Sequence, residues 1–278
     1  MIRFGEKLHT IYDHKSIQRI GHKSNEEKRR QNNQMRFIIR SHFSRATEKR
    51  YLGYVWLILD PLVISLIYLF VFTVVRARIG PGSIFIGITL YKVLQDSIKN
   101  GINIVKSNDG GIKCERIDSV VILKATIVRR SIESIFGTVP TSLILIFGFG
   151  ISWQGGIFYI LVAQLMSFFF LGLGLCVAGI VRKIPDIGEV ISWILRIGFF
   201  VSPAIYPMYK MNGMHYTLNE YNPFTYFAEV TRLVAGETST FNQLNPIVML
   251  SLFTIIVLLN IWAMKRFDKL RWRITVWS

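Results

Sequence analysis

"IFYILVAQLMSFFFLGLGLCVAGIV", Ile157–Val181, runs without a single Asp, Glu, Lys or Arg. A helix needs about 20 mostly apolar residues to cross the hydrocarbon core of a bilayer. This stretch exceeds that length, so it reads as a membrane span. Gly172, Gly174 and Ala178 within it make a small-residue surface on which a second helix can pack closely. Working outward, five further stretches read the same way: Tyr54–Val75, Ser83–Val105, Ser131–Ile151, Ile187–Pro207 and Pro246–Met264. The expected fold is therefore an all-α integral membrane protein with six transmembrane helices. The span at Ser83–Val105 is the weakest, because Lys92, Asp96 and Lys99 interrupt it.

Composition agrees. The 278 residues are 51% hydrophobic, and the mean hydropathy is +0.38, too apolar for an ordinary soluble domain. The formal charge of +16 could serve nucleic acid in a soluble chain, but in one this apolar it points to basic cytoplasmic loops, and no nucleic-acid partner is expected. Two cysteines, Cys114 in a polar loop and Cys176 in an apolar run, suggest no disulfide framework. The first 50 residues are polar and basic, without the apolar core or small-residue cleavage site of a secretory signal peptide.

Lys and Arg set the orientation. They crowd residues 1–53, 106–130 and 182–183 and the stretch after Met264, whereas the alternate loops hold only Arg76, Arg78, Lys210 and Arg232. Basic loops stay cytoplasmic, so both termini are expected inside, and Ser107–Asp118 with them. The chain then divides into a basic N-terminal extension (1–33), of which residues 1–30 are expected to be partly disordered, a basic amphipathic helix lying in the membrane interface (34–53), the spanning domain (54–264) and a basic tail (265–278). In the interfacial helix Phe37, Ile38 and Phe43 supply the apolar side, and Arg36, Arg40, Arg45 and Arg50 would meet anionic headgroups. The plainer reading is a solvated basic arm.

Three spans carry polar or aromatic residues at spacings of three and four, which align them on one helical face. The first has Pro61, Ser65, Tyr68 and Phe72; the second Lys92, Asp96, Lys99 and Asn103; the fifth Glu189, Trp193, Arg196, Phe200 and Pro203. Charges at bilayer depth are costly and usually face protein or water. Taken singly, each residue fits packing, with Lys92 and Asp96 simply paired; taken together, the stripes fit a pathway for a polar solute, lined by Ser65, Tyr68, Phe72, Lys92, Asp96, Trp193, Arg196 and Phe200. Aromatic faces suit sugar rings.

Several chemistries are missing. There is no G-x-x-x-x-G-K-[ST] loop for a nucleotide, no H-E-x-x-H, no G-x-S-x-G and no clustered Cys/His metal set. An active transporter built on this chain must draw its energy from a gradient or from another polypeptide.

Three segments resemble a known family. "RYLGYVWLILDPL" (Arg50–Leu62), "IPDIGEVISWILRIGFFVSPAIYP" (Ile184–Pro207) and "NPFTYFAEVTRLVAGE" (Asn222–Glu237) are similar, in order and spacing, to the first span, the fifth span and the external segment of ABC-2 type export permeases. The resemblance runs from about Arg36 to the C-terminus, and its flavour is that of the branch exporting capsular polysaccharide, O-antigen or teichoic acid. It implies a homodimer of six-span subunits in the bacterial inner membrane, driven by two separate nucleotide-binding ATPase subunits that hold the ATP and Mg, with no cofactor bound by this chain. It implies a lipid-linked polysaccharide as substrate, and short re-entrant helices outside the membrane over Tyr216–Glu237, with Asn222-Pro223 as the turn between them.

The same resemblance makes Ser107–Asp118 the coupling helix that docks into the ATPase. Asn108 or Asp109 would cap it, Ile112 would fill an apolar notch, and Lys113, Glu115 and Arg116 would make charged contacts. The arginines of the interfacial helix would form a gate for the lipid carrier's pyrophosphate. Arg116-Ile117-Asp118 stands where the family usually has Phe-Pro. Two other readings are an exporter of a drug or small lipid in the same superfamily, and a membrane glycosyl or acyl transferase using lipid-linked donors.

Overall fold

A computed structural model describes residues 14–47, 80–104 and 119–272, together with isolated helical positions between 55 and 70. The architecture is all-helical. Eight α-helices lie among the described residues: α1 (His14–Thr47), α2 (Pro81–Asn103), α3 (Ser119–Phe149), α4 (Trp153–Lys183), α5 (Asp186–Val201), α6 (Met214–Glu220), α7 (Pro223–Val234) and α8 (Pro246–Trp272). Among them, Val120–Phe149, Trp153–Lys183 and Pro246–Phe267 are long and apolar enough to cross a membrane.

The stretch first read as a span is the middle of the bundle. On α4, Tyr159, Ala163, Met166, Phe170 and Leu175 are buried, while Ile157, Leu161, Leu165 and Phe168 stay exposed on the other side. The small residues work as expected, but for two partners. A Cβ on Gly174 would strike the Ile98 carbonyl of α2, and one on Gly101 would strike the Leu171 carbonyl, so α2 and α4 cross backbone to backbone. Gly172 instead leaves room for the Asn260 side chain of α8, whose amide donates to the Phe169 carbonyl at 3.2 Å.

The weakest span by hydropathy is the most enclosed helix. From Gly82 to Tyr91 every residue of α2 is buried. Hydropathy measures transfer into lipid, whereas α2 is surrounded by protein, where hydroxyls are tolerated once bonded: Thr89 donates to the Phe85 carbonyl and Ser97 to the Val93 carbonyl. The lipid-compatible surface falls to its neighbours. Phe136, Leu143 and Phe147 of α3 and Ile247, Leu250 and Leu258 of α8 are all exposed.

α3 runs antiparallel to α2 and to α4, and α8 runs parallel to α4. Gly150, at φ 71°, ends α3, and Ser152 caps α4 by accepting from the Gly155 amide. At one end lie α7, the N-terminus of α2 and the α3–α4 turn; at the other lie α1, the C-terminus of α4 with Arg182 and Lys183, and Lys265 and Arg266 of α8. The basic groups thus collect at the α1 end. Two boundaries move. α1 is continuous from His14 across the division expected at 33/34. α3 begins at Ser119, so Arg129 and Arg130, expected in a loop, sit inside a helix.

A candidate transport site held by two buried ionic ties

α5 carries three of the sequence-predicted pathway residues. It starts with Asp186 and Glu189 in its first turn, where acidic groups complement the helix dipole, and it stops at Ser202, before Pro203, which has no N–H to continue it. Trp193 and Phe200 are 59% and 58% exposed and share an open face with Ile194 and Ile197. The guanidinium of Arg196 lies 5.0 Å from the Trp193 ring centre, a cation–π contact. The opposite side of α5 is fixed to α2: the Tyr91 hydroxyl and the Gln95 amide both donate to the Leu195 carbonyl, at 2.9 and 3.0 Å. On α2, Lys92 and Asp96 form an i,i+4 ion pair at 3.6 Å and remain partly exposed.

The chain after α5 is anchored by a group that reads in the sequence only as a loop charge and as part of a family-like segment. Arg232 of α7 is fully buried and pairs with equally buried Glu229 at 2.8 Å. Its other nitrogens donate to the Pro203 carbonyl at 2.7 Å and to the Ser83 carbonyl at 3.2 Å. One guanidinium therefore satisfies a carbonyl freed where α5 breaks and holds it against the start of α2. Gly87 permits this approach, since a Cβ there would meet both the Ala204 carbonyl and Arg232.

Glu229 extends the tie the other way, accepting from the amides of Met208 (3.2 Å) and Thr240 (2.9 Å) and from the Ser239 hydroxyl (2.9 Å). Burial pulls the Arg232 pKa down, and Glu229 opposes that shift. Glu237, which lies against Gly80 and Gly82 at the start of α2, has its carboxyl pKa raised by burial, with Arg232 pulling the other way. Asn222 caps α7 by accepting from the Phe224 amide, with Pro223 at the first helical position, so Asn222-Pro223 does separate two short helices.

A second tie lies at the α1 end. Arg130 donates to the Ser97 hydroxyl and the Val93 carbonyl of α2, both at 3.1 Å. Arg129 donates to the Asn100 side chain at 2.8 Å and to His42 Nδ1 of α1 at 3.1 Å. With Nδ1 accepting, Nε2 carries the imidazole proton and donates to Glu133 at 3.2 Å. Glu133 also lies 3.6 Å from Arg129 and 3.7 Å from Arg130. Six polar side chains from three helices, His42, Ser97, Asn100, Arg129, Arg130 and Glu133, thus meet where isolated charges would be costly.

The remaining predicted residues fall as follows. Arg36 and Arg40 are exposed on α1, while Ile38 packs against the bundle and Phe43 is buried. Phe37 points away, 67% exposed. Arg45 belongs to α1, but its side chain lies outside the described residues. So do Arg50, Ser65, Tyr68 and Phe72, and the whole coupling segment with Asn108, Asp109, Ile112, Lys113, Glu115 and Arg116. Among the described residues no group of three or more His, Cys, Asp or Glu is placed to hold a metal.

Residues 118–235, which contain α5, the Arg232–Glu229 pair and the side chains of Arg129, Arg130 and Glu133, match the family model of the ABC-2 type transporter. Over that stretch the chain is similar to the ABC-2 type transporter membrane domain. ABC-2 permeases are non-catalytic transporter subunits that pair with ATPase subunits, which sets the transferase reading aside. The chain is similar to the polysialic acid transport protein KpsM of Escherichia coli, 22% identical over 221 residues, 74% of this chain and 83% of that protein. A second KpsM sequence of the same species is 23% identical over the same length. The O-antigen export system permease protein RfbA of Myxococcus xanthus is 24% identical over 184 residues, 63% of this chain and 70% of that protein. The chain is thus a multi-pass membrane protein by its apolar helices, related at low identity to polysialic acid and O-antigen export proteins.

Proposed function

We propose that the protein is the permease of an ATP-driven exporter that moves a lipid-linked polysaccharide across the bacterial inner membrane. The observation that carries this reading is the similarity to polysialic acid and O-antigen permeases over most of the chain. The open aromatic face of α5, with Trp193 and Phe200 exposed beside Arg196, supports it, because a sliding glycan needs aromatic platforms and few fixed bonds. In this reading the chain crosses six times with both termini inside, two copies face each other through the first and fifth spans, and Ser65, Tyr68, Phe72, Lys92, Asp96, Trp193, Arg196 and Phe200 line the path. Two ATPase subunits bind ATP and Mg and push on residues 107–118, while the arginines of α1 receive the lipid carrier's phosphates. An exporter of a drug or small lipid would have less use for such a face.

The experiment is translocation of a lipid-linked glycan in proteoliposomes with and without the cognate ATPase. ATP-dependent export that falls severalfold in Trp193→Ala/Phe200→Ala is expected. Export indifferent to the ATPase would overturn the proposal. Charge reversal at Lys113, Glu115 and Arg116 is expected to release the ATPase from a permease that stays folded.

A further inference from the structure

At the end of the bundle opposite α1, the segment joining α5 to α8 encloses an open cleft of about 650 Å³, within the size range of small-ligand sites. Its walls include Tyr209, Asn212, Tyr216, Thr217, Thr238 and Gln243, over a floor of the buried Met208 and Met211. No Asp, Glu, Lys, Arg or His lines it. We propose that this cleft is a binding site for uncharged sugar residues, a neutral stretch of glycan held as it leaves the permease. The proposal rests on the export reading above and narrows its substrate class.

The chemistry is specific. The side chains of Asn212, Thr238 and Gln243 make no hydrogen bond to a described residue, so two amides and a hydroxyl are free to pair with sugar hydroxyls, each amide both donating and accepting. Ser239 and Thr240 differ: their hydroxyl protons are committed to Glu229, at 2.9 and 3.4 Å, so they offer only lone pairs to a ligand hydroxyl. The Lys210 ammonium covers one face of Tyr209, 5.3 Å from the ring centre, which leaves Tyr216 as the open stacking platform. The wall is rigid, because Met208 and Thr240 both give their amides to buried Glu229 and Gly213 turns the rim at φ 56°. A polyanion such as polysialic acid would need several cationic donors here, and the cation beside the wall, the Lys210 ammonium, is held over the Tyr209 ring.

The test is binding to the full chain in nanodiscs, by saturation-transfer NMR and calorimetry, of a neutral hexose tetramer, a neutral N-acetylhexosamine tetramer and a sialic acid tetramer. At least one neutral tetramer is expected to bind saturably and the sialic acid tetramer at least tenfold more weakly. The pair Asn212→Ala/Gln243→Ala, at exposed positions, is expected to weaken neutral binding at least tenfold without lowering the melting temperature; Tyr216→Ala, whose ring also packs on the cluster of Met208, Met211 and Tyr226, is expected to weaken binding as much with some loss of melting temperature, and Tyr216→Phe to retain both. Absence of saturable binding, preference for the acidic tetramer, or indifference to all of these substitutions overturns the assignment. The assay requires neither ATPase nor transport, so its failure strikes the cleft alone, whereas loss of ATP-dependence in proteoliposomes strikes the export reading and leaves binding measurable.

Discussion

Replacing Arg232 by Met probes the tie that holds the end of α5. The side chain is fully buried, as is that of Glu229, so the substitution leaves a carboxylate without its counter-charge and withdraws the donors to the Pro203 and Ser83 carbonyls. Removing one member of a buried ion pair costs about 3–5 kcal/mol, chiefly because the survivor is stranded. At roughly 2–4 °C per kcal/mol for chains of this general size, the melting temperature is expected to fall by about 10 °C. Arg232→Lys keeps the charge but cannot span Glu229 and both carbonyls, so it should lie between the two. The assay is thermal unfolding of the purified protein in one detergent, run as a cycle with Glu229→Gln. The double variant should be far less destabilised than the two single losses added together, because removing both partners strands no charge. A melt of Arg232→Met within about 1 °C of the parent, or simple additivity in the cycle, would refute the claim that this pair fixes the α5 break.

Other expectations follow from the same contacts. Gly174→Leu should prevent close crossing of α2 and α4 and abolish the monodisperse peak in size-exclusion chromatography, since overpacking a tight crossing costs about 1–3 kcal/mol or more; Gly148→Ala, whose Cβ meets only Ile144 at 3.6 Å, should elute like the parent. His42→Ala removes the bond from α1 to Glu133 and Arg129, and should raise hydrogen exchange in α1 near residues 35–47 at a stability cost of about 1–3 kcal/mol, while α4 exchanges as before. Glu237 gives a pH dependence. Burial raises its folded pKa above the unfolded value, so its contribution favours the fold at low pH and is lost as pH climbs through the window that starts near the ordinary carboxylate value. Glu237→Gln should therefore gain melting temperature over the parent as pH rises from 4 toward 7, and a gain that shrinks with pH would contradict the burial.

Much of the fold was legible because it is written locally. α4 and α8 declare themselves by unbroken apolar runs, and Asn222-Pro223 by the local chemistry of a cap followed by a residue preset for a first helical turn. The misplaced pieces are those whose partners are remote. Arg129 and Arg130 look like loop charges to any count of basic residues, because their partners Asn100 and His42 lie 29 and 87 positions away from Arg129 and only folding brings them together. The polar second span looks weak for the same reason: a scale built on lipid transfer cannot register that Ser97 and Val93 face an arginine rather than hydrocarbon.

Glu229 is the instructive intermediate case. It stands three residues before Arg232 on one helical face, and such a pair inside a segment whose other residues are uncharged, mostly Phe, Tyr, Ala, Val and Leu with two Thr, is a visible signal for a buried ionic couple. What the spacing could not say is where the couple's remaining bonds go. They reach Ser83, Pro203, Met208 and Thr240, which belong to three separate parts of the chain. A short-range pair thus organises a long-range junction. The wall of the neutral cleft and the end of the aromatic face of α5 hang from the same two side chains. Displacing Glu229 would loosen Ser239 and Thr240 on one side and free the carbonyl of Pro203 on the other. The geometry of any ligand in the cleft and the position of the α5 terminus are therefore set by one shared constraint.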